Sequence, residues 1–354
     1  MMAGLGPFEP APALALAVSG GADSMAMALL ARDWAGSRAG SVLALVVDHR
    51  LRAHSTAEAE LTLRRLDALA IPALLLPLSL SPPVSAEQAR TARLAALEAG
   101  CAARGLLHLL FAHHRADQAE TVAMRALRAG QSTRGLEGMA ALVETPLLRR
   151  LRPLLDVPPV RLRATLRAAG VAWVEDPSNT DPRGERARLR ALRRDRTGTG
   201  LLTAADARLA AAYGQLRAAE EGELASWLGR HAEIRPDGTV LLAVVPQAAA
   251  VAAIVACVGG RARLARGAAG RWAAAPRPAT LGGVQVLRRQ GGWLFRREPA
   301  AEPPAASAQD REWDGRFRRD AAGRLRFAPP RALTPAIFFP SAVRGCETGG
   351  SVLF

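Results

Sequence analysis

Six residues near the start of the chain, Ser19-Gly20-Gly21-Ala22-Asp23-Ser24, have the make-up of a phosphate cradle. Two glycines permit a tight turn and close backbone approach, so successive N–H groups can face phosphate oxygens. The two serine hydroxyls add donors. Asp23 would repel a phosphate directly, but it can hold a Mg²⁺ that bridges to one. The lysine of a GxxxxGK(S/T) loop is missing, so the cradle is of another kind. An ordinary strand-to-helix turn is the plain alternative, and the serines and the aspartate weigh against it. Asp48 and His49, in Val47-Asp48-His49-Arg50-Leu51-Arg52, follow a strand-like run and are placed to line the same crevice. A solvated loop is the alternative there.

A second group is His113-His114-Arg115-Ala116-Asp117-Gln118-Ala119-Glu120-Thr121. Asp117 and Glu120 are three apart and share one helix face. Two such carboxylates suit a cationic amine, although acidic residues are common in first helical turns because of the dipole. Two histidines before two acids also raise the question of a metal. Adjacent strand residues point to opposite faces, so joint ligation is not expected. Arg90 and Arg93, three apart on another helix, could neutralise charge near a reaction or lie as a solvated face with packed stems.

These residues need a frame, and the hydrophobic pattern supplies one. Strand-like and helix-like stretches alternate: a strand at Ala13 to Val18, a helix at Ser24 to Trp34, and strands at Val42 to Val47 and Leu74 to Leu76. Ser85 and Gln88 signal a capping box that opens a helix to about Arg104. A strand at Leu106 to Ala112, a helix at Asp117 to Arg128 and a helix from Val160 to Ala169 follow. The alternation predicts an α/β fold, a parallel sheet with helices on both faces, in residues 1–198. Thr197 to Gly200 reads as a linker, and Leu201 to Trp227 as an amphipathic helix opening a smaller α+β domain over 201–300. Residues 301–354 carry little periodic signal.

The formal net charge is +15, and all 47 basic residues are arginines. Arginine suits bidentate phosphate contacts, and a large surplus favours a polyanionic partner such as nucleic acid. From Arg125 to Arg196 there are 16 arginines against 8 acids, which concentrates the surplus. Three cysteines, Cys101, Cys257 and Cys346, are far apart and form no CxxC, so neither a disulfide framework nor a zinc site is indicated. This fits a cytoplasmic protein. The uncharged run from Val240 to Gly260 is split by Pro246 and reads as a strand and a buried helix, with no membrane partner expected.

Taken in order, the motifs resemble those of the tRNA(Ile)-lysidine synthetases, within the N-type ATP pyrophosphatases or PP-loop superfamily. The pieces are Ser19–Ser24, Val47–Arg52, Ala89-Arg90-Thr91-Ala92-Arg93, His113–Thr121, Arg152-Pro153-Leu154-Leu155 and Asp176-Pro177-Ser178-Asn179. They span a little over half the chain, and a weaker likeness continues at Thr280–Gly283 and Arg297–Pro299. Departures occur at Leu94, Ala116, Gly184 and Ala187. The resemblance implies adenylation of the wobble cytidine of tRNA(Ile) bearing a CAU anticodon, then attack by L-lysine to give lysidine, AMP and pyrophosphate. It implies ATP and Mg²⁺ at Ser19, Gly20, Gly21, Ala22, Asp23, Ser24, Asp48 and His49, with Asp23 on the metal. It further implies lysine at Asp117 and Glu120, Arg93 near the reacting atoms, and tRNA along Arg183, Arg186, Arg188 and Arg190, the 201–300 domain helping to recognise it. A homodimer is an option. Among alternatives, a tRNA thiolase would need reactive cysteines, and a non-catalytic RNA-binding protein would tolerate loss of Asp23.

Overall fold

A computed structural model of the chain describes residues 2–50, 54–80, 83–129, 136–145, 148–174, 188–189, 192–193, 195, 197–235, 237–259, 264 and 267–299, with the backbone of three short strands between 312 and 327. Two compact units are present, Met1–Arg217 and Ala218–Phe354.

The first unit begins with β1 (Ala13–Val18), α1 (Ala22–Gly36), β2 (Ser41–Asp48), α2 (Ser55–Ala68) and β3 (Ala73–Pro77). It continues with α3 (Ala86–Ala102), β4 (His108–Leu110), α4 (Arg115–Ala129), β5 (Leu142–Glu144), β6 (Arg149–Leu151) and α5 (Pro159–Ala168). The six strands lie in the order β3-β2-β1-β4-β6-β5. Every neighbouring pair is parallel except β5–β6 at the edge. Helix-bearing crossovers bury both faces of such a sheet, which accounts for nearly continuous apolar runs such as Ala13–Val18. Leu14, Leu16, Val18, Leu110 and Leu151 pack with α1, α2 and α5 on one face. Ala15, Ala17, Leu45 and Leu109 pack with Leu97 and Cys101 of α3 on the other. Fully burying each leucine contributes about 1.5–3 kcal/mol. The capping box stands at the start of α3, where the Ser85 hydroxyl accepts from Gln88 N–H and the Gln88 side chain accepts from Ser85 N–H.

The parallel sheet with helices on both faces is therefore as the alternation implied, with an antiparallel edge strand added. Strands β5 and β6 have three residues each, too few for periodicity to reveal. Helix α6 (Leu201–His231) departs from the amphipathic expectation. Leu201, Leu202 and Leu216 are exposed, whereas Ala210 is buried beside Gly138. The close approach of the 137–139 segment favours small side chains on the inner side and leaves the leucines outside. The Thr197–Gly200 run, read as a linker, is tied down by Asp195 just ahead of α6. Asp195 accepts from the N–H groups of Gly198 (2.9 Å), Thr199 (3.3 Å) and Gly200 (2.9 Å) and from the Thr197 hydroxyl (3.0 Å). The division between the two units falls farther along, at Arg217 and Ala218 inside α6.

The second unit carries the rest of α6, then β7 (Ala232–Ile234), β8 (Val240–Leu242), α7 (Ala248–Gly259), α8 (Ala268–Ala274), β9 (Ala279–Leu281), β10 (Val284–Arg289) and β11 (Gly292–Arg297). These strands form an antiparallel sheet in the order β7-β8-β11-β10-β9. Val240, Leu242, Val284, Val286, Trp293 and Phe295 pack with Ile254, Val258 and Trp272 of the helices. The uncharged run from Val240 is thus a strand followed by a largely buried helix. No helix among the described residues is long and apolar enough to cross a membrane. The backbone strands β12 (Glu312–Trp313), β13 (Phe317–Arg319) and β14 (Leu325–Phe327) form a further small sheet.

Candidate active site

The ends of β1, β2, β4 and β6 converge on one edge of the first unit's sheet, where ligands bind in open parallel sheets. The Ser19–Ser24 loop leaves β1 there and turns directly into α1. Ser19 N–H donates to Ser24 Oγ at 3.2 Å, the two hydroxyls lie 3.3 Å apart, and Ser24 Oγ donates to Gly21 carbonyl at 3.0 Å. The first turn of α1 begins at Ala22, so its leading N–H groups lack helical partners and face out of the helix end. Gly20 has φ +83°, and a Cβ on it would meet Thr62 Oγ1 of α2 at 2.2 Å. Its carbonyl accepts from Val174 N–H at 2.9 Å. The loop is thereby held from two sides before any ligand arrives.

Asp23 sits in the first turn of α1. Its Oδ1 is enclosed without a hydrogen-bond partner among the described residues. Its Oδ2 lies 3.4 Å from Nε2 of His114. On the other side of the ring, His114 Nδ1 lies 3.5 Å from Asp117 Oδ2, and Asp117 N–H donates towards Nδ1 at 3.4 Å. The His114 N–H in turn donates to Asp117 Oδ2 at 3.0 Å. An N–H aimed at Nδ1 favours the tautomer whose proton is on Nε2, directed at Asp23. Buried His114 thus joins the glycine loop to the acidic start of α4. Glu120 follows one helical turn later and is also buried. His113 goes the other way, stacking on Phe111 with ring centroids 5.9 Å apart. The expectation that the two histidines diverge is met. That His114 is part of the site was not foreseen, although divergence implies that one of the pair faces the loop side.

Asp48 lies at the end of β2 but its carboxylate turns inward. Oδ1 accepts from Arg50 N–H and from Ser55 Oγ, both at 3.0 Å, and Oδ2 accepts from Thr56 Oγ1 at 2.7 Å. Burial pushes its pKa up, but the hydrogen bonds from Thr56, Arg50 and Ser55 outweigh this and hold it below the usual carboxylate range. The side chain fastens the β2–α2 loop, with Arg50 at φ 51°. His49 is half-buried on that loop.

Arg93 is half-buried on α3; burial, then neighbouring Arg90, lowers its pKa. Of the arginines expected to meet RNA, Arg188 is exposed, while Arg183, Arg186 and Arg190 lie outside the described residues, as do Gly184, Ala187 and the Asp176–Asn179 motif. The bond from Val174 to Gly20 brings the chain to the glycine loop just before that motif. Ala116 and Leu94, the two departures that are described, lie on α4 and α3. No cluster of three or more His, Cys, Asp or Glu residues able to hold a metal occurs among the described residues.

The PP-loop domain family matches residues 4–194. A tRNA(Ile)-lysidine synthase of Bradyrhizobium sp. is 42% identical over 195 residues, covering 52% of this chain and 53% of that protein. One from Rhodopseudomonas palustris is 42% identical over 189 residues, covering 52% and 54%. The match thus spans about half the length of these two relatives. A tRNA(Ile)-lysidine synthase of Hyphomonas neptunium is 33% identical over 340 residues, covering 87% of this chain and 91% of the relative. A solved U34-tRNA thiolase of Methanococcus maripaludis aligns over 58% of this chain and 72% of its own, with a TM-score of 0.48 and 15% identity. A family match across more than half of the residues, joined by a relative matched over nearly all of its length, shows that this chain belongs to the PP-loop family and, within it, to the tRNA(Ile)-lysidine synthase family.

Proposed function

We propose that the chain is an ATP-dependent ligase that joins L-lysine to carbon 2 of the wobble cytidine of tRNA(Ile) with a CAU anticodon. Attack of the cytidine oxygen on the α-phosphorus of ATP releases pyrophosphate and makes AMP a leaving group. The ε-amine of lysine then displaces AMP to form the carbon–nitrogen bond. Division into two steps replaces a poor leaving group by a good one. The observation that carries this reading is His114, whose ring lies between Asp23 of the glycine loop and Asp117 of the acidic helix.

The Ser19–Ser24 loop binds the β,γ end of ATP through the N–H groups of the first turn of α1 and the two hydroxyls. Mg²⁺, when bound, supplies charge neutralisation on the phosphates. Asp23 fits it, since the enclosed Oδ1 has no hydrogen-bond partner among the described residues, and with a single carboxylate the remaining ligands come from phosphate and water. Asp117 and Glu120 hold an ammonium group of lysine, and Arg93 offsets negative charge at the reacting phosphate. Asp48 and His49 border the nucleotide, Asp48 also fixing the loop through its hydrogen bonds. Arg183, Arg186, Arg188 and Arg190 contact the tRNA backbone, with the 201–300 region aiding recognition. The wobble base leaves its stack to react, as other base-modifying enzymes require. Such an enzyme works in the cytoplasm, with a homodimer as an option. A thiolase reading gains nothing from Cys101, whose buried thiol is pushed up to about 12, chiefly by burial and then by Glu98.

The test is Asp23→Asn. Pyrophosphate release from ATP and tRNA should fall at least a hundredfold while tRNA affinity is retained. Unchanged pyrophosphate release would instead leave an RNA-binding protein without this chemistry.

A further inference from the structure

The α3 face of the sheet carries a group of arginines of which the proposed chemistry assigns only Arg93. Alternation along β6 sends Leu151 to the α1 and α5 side, so Arg150 and Arg152 lie on the side of α3. Arg150 confirms the direction by pairing with Glu98 of α3, its Nε donating at 2.8 Å. Arg152 has no such partner. Its Nη1 donates to the Ala140 carbonyl at 2.7 Å, whereas its Nε is enclosed without any hydrogen-bond partner among the described residues. Arg90 and Arg93, on α3, are the other members. Among the described residues none of Arg90, Arg93 and Arg152 has a carboxylate partner, and Glu98 is engaged by Arg150. Burial, followed by the charges of Arg150 and Arg90, brings Arg152 down to about 10.

Arg90 is exposed and Arg93 and Arg152 are half-buried; partly desolvated like charges without a counter-ion are costly, and a protein retains them where an anion comes and goes. The position indicates which anion. Strand β6 is separated from β1 by β4, so Arg152 starts two strand spacings, about 10 Å, from the loop proposed to hold the triphosphate. Next to it lies an aromatic surface. The Arg152 guanidinium is 5.8 Å from the centroid of Phe111, on which His113 is stacked. A guanidinium beside two adjoining rings, here tilted by 30°, is what an unstacked nucleotide needs, one part for its phosphate and the other for its base.

We propose that Arg152, with Arg90, forms a phosphodiester-binding site for the RNA strand beside the glycine loop, with Phe111 and His113 as the adjoining base platform. This rests on the tRNA reading above and adds the place at which the reacting nucleotide is held.

The experiment is Arg152→Met, which removes the fork but keeps an apolar stem. Binding of a tRNA(Ile) CAU transcript without ATP, and of Mg-ATP without RNA, would be measured over a salt series, beside thermal unfolding. The expected result is about tenfold weaker tRNA binding, a salt slope shallower by about one, unchanged ATP affinity and unfolding at or above the wild-type temperature. Weaker ATP binding with unchanged tRNA binding would give the site to the nucleotide and overturn the proposal. So would unchanged affinity for both. Should Arg152→Met fail to fold, Arg90→Met, at an exposed position, carries the same expectations and the same contradictions. Wild-type protein with no salt-sensitive tRNA binding would sink the tRNA reading itself, a result separate from a variant that behaves like wild type.

Discussion

At the scale of single residues, the site depends on a few atoms that admit little change. Gly20→Ala would place a methyl group 2.2 Å from Thr62 Oγ1 at a φ of +83°. We expect a stability loss of about 1–3 kcal/mol with ATP binding reduced at least tenfold, read by thermal unfolding and nucleotide titration. An alanine variant with wild-type ATP affinity would show that the loop tolerates a shift of α2. The sequence made this glycine and the serines legible because loop, strand and helix signals are all local. It did not reveal Asp48, whose partners Ser55 and Thr56 are seven and eight positions on; they meet it only because α2 folds back. His114 escaped for a similar reason. Its role arises from α1 and α4 approaching each other, which neither helix signals by itself.

At the scale of elements, caps and strand ends set the response to pH. Asp195 is buried enough to raise its pKa, yet donors from Thr203, Gly200, Thr197 and Thr199 bring it to about 2. A carboxyl depressed in the folded state stabilises above its unfolded value near 3.8, and the contribution is lost as pH falls towards 2. Asp195→Ala should cost about 0.5–2 kcal/mol at neutral pH and make unfolding less steep in acid. Equal stability of the two proteins at pH 7 would show that these bonds do not stabilise the loop ahead of α6. At the start of β4, buried His108 meets Glu9 at 2.8 Å. Burial lowers the histidine pKa more than Glu9 raises it, and Glu9 is itself lowered because bonds from its own backbone and His108 outweigh its burial. Both shifts give stability that is present above the unfolded values and lost as pH drops. For the histidine the loss begins below about 6.5. In His108→Gln the fall in melting temperature between pH 7 and pH 5 should shrink, and an undiminished fall would place the pH response elsewhere. Capping was readable for α3, where Ser85 and Gln88 stand three apart, whereas the tie ahead of α6 was not. There a Thr-Gly run looks like a flexible linker until Asp195 is seen to bind it.

For the whole molecule, the first unit unites a glycine loop, an acid pair and a basic α3 face on one sheet edge, and the sequence order of its motifs already indicated the first two. The basic face was harder to see, because arginines are spread through the chain and only strand alternation shows which of them share a surface. In the second unit, the glycines of Leu281-Gly282-Gly283 have φ of 56° and 83° and form the tight turn between β9 and β10, which explains that motif structurally. The central claim is that ATP and lysine are used in turn at neighbouring groups. It is tested most directly by following pyrophosphate and AMP separately with a tRNA(Ile) CAU transcript. The account predicts about one pyrophosphate per enzyme without lysine, AMP release only once lysine is added, and, in Asp117→Asn with Glu120→Gln, the first product without the second. AMP released at the same rate with and without lysine, or in the absence of tRNA, would contradict it.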